Sequence, residues 1–458
     1  DLHKKFSAST IRKIAGISGA ELVKLPAGMN AADAAYQYMA DPLVEYAEPN
    51  YIVKIQSTTP NDEYFSQQWA LHNTGTFAAG TLDADIDAPE AWDFWQGSSW
   101  LTVAVIDTGI DYNHNDLILN IWTNTGETNC VDGIDNDANG YIDDCRGWDF
   151  TTCTLYGADG TTCLTAKTRD NNPMDDHGHG THVAGIIGAR GNNFIGMTGV
   201  SWNVRVMAVK ALNSQGSGTT ADIVDAIGYA VANGARIINA SFGSYIFSAT
   251  QYTAVSNANA AGVLFVAAAG NDAVNNDHLT PNYPSSFDLP NIIAVAASDQ
   301  TDALASFSNF GVNSVDVAAP GVYILSTIPD NGYVNKDFWP GTSMAAPQVA
   351  GLAALIMTYP DYVTLGYTMY QFRAMIEAFV DKKTPFNGYL WTAGRINAHH
   401  TLSSMVKPNA PAATSTLPTE VNLSWVLRPS ASAQSLISLI IERSVGNNTS
   451  YQTLATIS

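Results

Sequence analysis

Three short runs in the sequence carry groups able to do acyl-transfer chemistry: Ala104-Val105-Ile106-Asp107-Thr108-Gly109, His179-Gly180-Thr181-His182-Val183-Ala184-Gly185 and Gly341-Thr342-Ser343-Met344-Ala345-Ala346-Pro347. Each supplies one member of an Asp, His, Ser set, in that chain order. A serine hydroxyl becomes a nucleophile when a neutral imidazole takes its proton, and a carboxylate behind the imidazole fixes its tautomer. Taken singly, each residue has an ordinary reading. Asp107 is a turn residue, His179 a satisfied polar group, and Ser343 a helix N-cap whose hydroxyl is spent on backbone N–H groups. All three together, in contexts that aim them, make the ordinary readings jointly improbable.

The flanking residues say what positions them. Leu101 to Ile106 is apolar and β-branched, the pattern of a buried parallel strand, and Asp107 sits at its carboxyl end, where open α/β sheets place their sites. Val183 to Ala189 predicts a buried helix after His179, with Gly178 and Gly180 allowing close backbone approach. Met344 to Met357 predicts a second helix opened by Ser343. A fourth run, Val263 to Ala268 followed by Ala269-Gly270-Asn271, is a buried strand ending in an amide. Attack on a carbonyl makes an oxyanion, and losing one of its preorganised donors costs about 3–4 kcal/mol. Asn271 is the natural donor, with the backbone N–H of Ser343; its ordinary reading is a turn Asn at a strand end.

These four runs resemble those of the subtilisin-like serine peptidases, the subtilases, over about residues 60 to 405. The resemblance implies that Asp107 orients, His179 is general base and acid, Ser343 attacks and Asn271 completes the oxyanion hole. His179 is the match because the family's histidine is the first of His-Gly-Thr-His; His177 adds a second imidazole nearby with no assigned role. Gly216-Ser217-Gly218 and Ser241-Phe242-Gly243 resemble the segments that flank an extended substrate, pairing main chain to main chain, with Gly270 beside them. Their ordinary reading is a pair of surface turns. Tyr283-Pro284-Ser285 resembles part of the primary pocket wall, which leans the expected preference toward large apolar side chains.

Composition narrows the class. At 458 residues and 46% hydrophobic, the chain can bury a sizeable core. A net charge of −21 repels a phosphate backbone and so excludes nucleic acid as a partner. No apolar run approaches the roughly 18 residues of a membrane span. Four cysteines allow three pairings; joining neighbours, Cys130 with Cys145 and Cys153 with Cys163, closes two small loops, and a 15-residue loop is worth roughly 3 kcal/mol. A metal cluster fits less well, because no Cys-x-x-Cys spacing is present. Disulfides imply an oxidising, secreted location. The chain begins at Asp1 rather than Met, which reads as a lost original N-terminus.

Three regions follow along the chain. Residues 1–58 resemble the small α+β inhibitory propeptide of subtilases, with a strand at Glu21–Leu25, a helix at Ala31–Met39 and a strand-turn-strand over Val44–Val53. A processing point is expected between Val53 and Asn61. Residues 59–407 form the peptidase region. Its strands are Leu101–Ile106, Val204–Lys210, Ile237–Ala240, Val263–Ala268 and Ile292–Ala297. They alternate with the His179 helix, Thr220–Asn233, a helix near Thr250–Ala261 and the Ser343 helix. That alternation predicts an α/β fold, a parallel sheet flanked by helices. Residues 408–458 begin as a Pro, Ala, Ser and Thr linker. The strands Glu420–Trp425, Leu439–Ser444 and Tyr451–Ile457 follow, resembling a truncated fibronectin type III sandwich.

Two calcium sites are expected. Asp132, Asp135, Asp137, Asn139, Asp143 and Asp144, with Gly140 for the turn, have the alternating oxygen ligands of a calcium loop, though not a full EF-hand. By resemblance, Asp62, Asp116 and Asn193, with carbonyls near Ile195 and Met197, form the second. The leading expectation is a secreted, monomeric, calcium-stabilised endopeptidase made as a zymogen, acting on polypeptides and held by its own propeptide. Two alternatives are a catalytically silent binding or adhesion protein on the same scaffold, and an esterase using the same three residues.

Overall fold

The computed structural model describes residues 2–14, 19–26, 28–50, 58–334, 339–360, 363, 366–403, 439–444 and 451–457. The chain divides into two compact units, Asp1–Gln56 and Ser57–Ser458.

In the first unit Ser9–Lys13 pairs antiparallel with Glu21–Lys24, and Ala31–Met39 is a helix. Its small core gathers on Tyr38, which packs 4.4 Å from Phe6 and bonds the His3 imidazole at 2.9 Å. The strand and helix expected there both form. Of the strand-turn-strand over Val44–Val53, the part within the described residues does not: Val44–Asn50 contains no strand, and residues 51–53 lie outside the described residues. Alternating apolar residues make a strand only where a neighbour takes the ladder hydrogen bonds. Here the Val44 N–H turns back to the Asp41 carbonyl at 3.0 Å, and Pro49 has no N–H to give.

The second unit is built on a sheet of nine strands among the described residues. Across it run Asp381–Lys382, Gly394–Arg395, Val317–Pro320, Ile292–Ser298, Leu264–Ala268, Ile237–Ala240, Gly97–Asp107, Asn203–Lys210 and Gly147–Asp149. Every neighbouring pair is parallel except the first, which is antiparallel. The five strands expected in the peptidase region are all present, four of them shifted by one to four residues at an end. Their continuous Val, Ile and Ala runs are apolar on both faces because both faces are covered. Val103 and Val105 point into one core with the helices His179–Gly188 and Thr342–Met357. Ala104 and Ile106 point into the other, with Thr220–Ala232 and Ala249–Ala260. From the strand Gly97–Asp107 the chain goes to one side to form Asn203–Lys210, then crosses to the other to form Ile237–Ala240. The carboxyl end of Gly97–Asp107 is therefore the switch point of the sheet, and Asp107 is its last residue.

The cysteines pair as neighbours, Cys130 with Cys145 and Cys153 with Cys163. Leu439–Ser444 and Tyr451–Ile457 pair as an antiparallel hairpin. The rest of the expected sandwich, Glu420–Trp425 included, lies outside the described residues. No helix among the described residues is long and apolar enough to cross a membrane.

Candidate active site

The structure brings Asp107 and His179 into contact. Nδ1 of His179 donates to Oδ1 of Asp107 at 2.7 Å, and the same oxygen accepts the Thr108 N–H at 2.7 Å. Asp107 is fully buried. His179 opens its helix rather than preceding it, after Gly178 in a left-handed conformation. Gly180 passes so close to the strand end that a Cβ there would sit 2.0 Å from the Gly109 carbonyl oxygen. Its N–H instead donates to Thr108 Oγ1 at 2.9 Å. Burial pushes the His179 pKa down, but the charge and hydrogen bond of Asp107, helped by the charge of Asp175, outweigh it and leave the pKa above its ordinary value. His182, one turn on, is driven down to about 3 by burial and by the neighbouring His179, and so stays neutral. The Trp339 ring stacks on His182 at 5.0 Å and lies 6.4 Å from the His179 ring.

Ser343 is the second residue of its helix, not the N-cap; Gly341 holds that place. Every residue of Thr342–Met357 is buried except Ser343. Pro347, four residues on, has no N–H to give the Ser343 carbonyl. Ser241 takes over that role: its hydroxyl donates to the Ser343 carbonyl at 2.9 Å, while Ser343 Oγ donates to the Ser241 carbonyl at 3.0 Å. The Ser343 hydroxyl thus rests on a backbone oxygen rather than on the imidazole. Asn271 is clamped from the same helix. Its Oδ1 accepts both the Thr342 N–H and the Thr342 hydroxyl at 2.9 Å, which leaves the exposed Nδ2 as a free donor face.

The two segments proposed to flank a substrate lie on either side. Gly216 approaches the histidines: a Cβ on it would sit 3.6 Å from His177 Nε2. Gly218 passes the Ala211 carbonyl, where a Cβ would come within 2.1 Å. Ser241-Phe242-Gly243 continues into Ser244, which exchanges both backbone hydrogen bonds with Tyr283 at 2.8 Å. The buried Asn282 amide lies between Gly243 and Gly270. Asn282 was not foreseen, because only the fold brings position 282 against two distant glycines.

Residues 98–389 match the subtilase family, and residues 1–50 match the fervidolysin N-terminal prodomain. The chain belongs to the subtilase family. It is 40% identical to the thermophilic serine proteinase of Bacillus sp. strain AK1 over 364 residues, 79% of this chain and 74% of that one. It is 35% identical to thermitase of Thermoactinomyces vulgaris over 342 residues, 74% of this chain and 98% of that one. A solved protease of Pseudoalteromonas arctica PAMC 21717 superposes with a TM-score of 0.58 at 27% identity, covering 76% of this chain and 99% of that one. The protein is thus a serine endopeptidase with a prodomain, and its substrates are polypeptides.

This subtilase also carries acidic clusters able to hold a metal. Carboxylate oxygens of Glu127, Asp135 and Asp137 converge within 4.8 Å of one another. Glu127 was not foreseen; it lies outside the Asp-rich run and joins it through the loop closed by Cys130 and Cys145. Asp144 faces inward to the Tyr229 hydroxyl at 2.6 Å and Asn139 Nδ2 at 3.1 Å. Asp143 accepts the Gly133 N–H through one oxygen and buries the other without a partner. Asp132 accepts the Ile134 N–H at the exposed tip. In the second cluster Asn193 Nδ2 donates to Asp116 Oδ1 at 2.7 Å, Asp62 accepts the Asn192 N–H, and the other Asp62 oxygen is buried without a partner. Burial, reinforced by Asp62, drives the Asp116 carboxyl up to about 6. A third group, Asp83, Asp85 and Asp87, also converges, but both Asp85 oxygens are taken by the N–H groups of Asn73 and Asp87.

The clamp on Asn271 can be tested directly. Thr342→Val keeps the shape but removes the hydroxyl that ties Asn271 Oδ1 to the Gly270 N–H. Losing these two neutral hydrogen bonds should lower kcat about two- to tenfold with KM little changed, as expected if Asn271 acts as a donor in the transition state. Unchanged steady-state kinetics on a peptide anilide would show that the amide needs no clamp.

Proposed function

We propose that this endopeptidase cleaves peptide bonds through an acyl-enzyme on Ser343, with His179 as general base and acid, Asp107 orienting it, and Asn271 with the Ser343 N–H binding the oxyanion. The 2.7 Å contact between His179 Nδ1 and Asp107 is the observation that carries this reading, because it leaves Nε2 as the site that takes a proton. The Ser343 hydroxyl turns from the Ser241 carbonyl toward Nε2 and attacks the substrate carbonyl as its proton moves to His179. Collapse of the tetrahedral intermediate returns that proton to the leaving amine. Water then repeats both steps to free the acid. The substrate lies extended between Gly216–Gly218 and Ser241–Gly243, which recognise main chain rather than sequence.

Around this core we place a zymogen, calcium and secretion. Residues 1–58 act as the inhibitory propeptide, supported by the prodomain match over residues 1–50. Calcium is bound by Glu127, Asp135 and Asp137, with Asp132, Asn139, Asp143 and Asp144 shaping the loop, and by Asp62, Asp116 and Asn193. The fit rests on unpartnered buried oxygens of Glu127, Asp143 and Asp62. A hard divalent cation accepts irregular oxygen sets of this kind and relieves their repulsion. Secretion is supported by two disulfides and by 34% identity over 391 residues to a Xanthomonas campestris pv. campestris protein named as an extracellular protease; the match covers 78% of this chain and 59% of that one.

Ser343→Ala should reduce hydrolysis of casein to background while the near-UV circular dichroism stays that of the native protein. Near-normal turnover would refute Ser343 as the nucleophile. A neutral imidazole is required, so kcat/KM should rise with pH as His179 loses its proton. Because the Asp107 charge raises that pKa, the midpoint should lie above the ordinary imidazole value of about 6.5. A rate that stays flat from pH 5 to 9 would exclude His179 as the base. Calcium bound only by the folded form should add roughly 4 kcal/mol at a thousand times its dissociation constant. Chelation of the Ser343→Ala protein, which cannot digest itself, should therefore lower its Tm. Identical melting in calcium and in chelator would remove both sites.

A further inference from the structure

The insertion between Asp149 and Asp170 takes no part in the chemistry above, yet it is fastened to the cleft edge. Its tip is a two-stranded hairpin, Cys153–Tyr156 against Cys163–Ala166, with Cys153 and Cys163 joined. Such a ribbon is marginal by itself. Its base is secured by the Lys167–Asp149 ion pair and by Arg169, which reaches Asp222 at 2.8 Å and Asp225 at 2.6 Å on the helix Thr220–Ala232. That helix begins just after Gly218.

Two hydrogen bonds pass from the hairpin into the segment that holds Gly216, Ser217 and Gly218. The Tyr156 N–H donates to Gln215 Oε1 at 2.6 Å, and Nδ2 of Asn213 donates to the Cys153 carbonyl at 3.0 Å. Asn213 is buried, and its side-chain oxygen accepts the N–H groups of Gln215 at 2.9 Å and Ser217 at 3.2 Å. Its backbone closes the turn, donating to the Ser217 carbonyl and accepting the Gly216 N–H, both at 2.9 Å. One side chain thus sets the course of the whole segment, and the cystine-closed hairpin orients that side chain. Gly216 and Gly218 have no side chains with which to hold themselves.

We propose that the Cys153–Cys163 hairpin is the outer support of the Gly216–Gly218 segment, with Asn213 and Gln215 as positioning residues, and that its cystine sets the affinity for long peptide substrates. This rests on the reading of Gly216–Gly218 as a strand that pairs with substrate. A substrate that spans only the scissile bond does not reach the segment, so its kinetics are independent of the hairpin. A longer one recovers main-chain hydrogen bonds only if the segment is already in place, so loosening the hairpin raises KM without touching Ser343.

The test uses the full chain and peptide anilides whose acyl side grows from one residue to about four. In the unaltered enzyme KM should fall as the acyl side lengthens. In the double variant Cys153→Ser/Cys163→Ser the KM of the long substrates should rise about two- to tenfold, the scale of one or two neutral hydrogen bonds. Their kcat, and all constants for the shortest substrate, should stay within about twofold, as expected when only uniform binding is lost. Titration of Ser343 with a fluorophosphonate normalises for folded enzyme. Gln215→Ala and Asn213→Ala, which leave the cystine intact, should shift KM in the same direction, and they decide the matter if the double variant fails to fold. Variants that keep the full length dependence would overturn the support role while leaving the cleft reading standing. An unaltered enzyme whose KM ignores acyl length would overturn the reading of the segment, and the inference with it.

Discussion

Everything at this site depends on how closely the helix His179–Gly188 can approach the carboxyl end of the strand Gly97–Asp107. The 2.7 Å contact between His179 and Asp107 is short because two backbones meet without side chains between them. Gly180 faces the Gly109 carbonyl, and Gly109, itself at φ +104°, faces the carbonyl of Pro173. A methyl group on Gly180 would separate helix from strand by more than the tolerance of a hydrogen bond, and one on Gly109 would collide with the Pro173–Met174 backbone ahead of the helix. One buried carboxylate locks the approach. Asp175 accepts Thr108 Oγ1 and the N–H groups of His177 and Gly178 on one oxygen, and the Thr181 N–H and hydroxyl on the other. Charge-assisted bonds of this kind are the strong ones. They hold the His179–Asp107 pair in place, so that under the proposed roles its alignment need not be assembled at each turnover.

The second constraint is at the other helix. Thr342–Met357 is almost wholly buried, so its backbone groups need partners inside the protein. Pro347 removes one donor, and Ser241 supplies it from a separate strand end. The exchange of hydrogen bonds between Ser241 and Ser343 therefore couples the start of this helix to the segment expected to bind substrate. A proline inside the helix thus becomes the reason Ser343 and the Ser241 segment are tied together.

Much of this was legible beforehand, and the residues show why. Leu101–Ile106, Ile237–Ala240 and Ile292–Ala297 are long enough and apolar enough on both faces that no other structure suits them, and each forms within a few residues of the expected bounds. The places of Asp107, His179, Ser343 and Asn271 were legible because Asp107 ends such a strand, Asn271 follows another, and His179 and Ser343 open buried helices. Val44–Asn50 shows the limit: its alternation is real, but strand formation depends on a partner that local sequence does not reveal. Glu127, Asp175, Asn213 and Asn282 escaped for a related reason. Each is a single common polar residue whose importance comes from groups brought to it by the fold. The Thr342 clamp on Asn271 was hidden in the same way.

The long excursion between Asp107 and His179 poses a different physical problem. It rejoins the sheet as a strand only at Gly147–Asp149, and although Ile110, Leu117, Ile121 and Phe150 reach the cores, its outer loops do not: Val131 is 86% exposed and Leu164 60%. Ordering such a chain costs on the order of 1–2 kcal/mol per residue in backbone entropy, with little hydrophobic return. The structure offsets this with cross-links instead of a core. Two cystines close separations of 15 and 10 residues, and side-chain carboxylates at Asp135, Asp149 and Asp159 stand in for the missing backbone ladder. Carboxylates used this way accumulate negative charge, which a bound cation would neutralise where Glu127, Asp135 and Asp137 meet. The acidity of these outer loops and their thin share of the core are thus two sides of one solution.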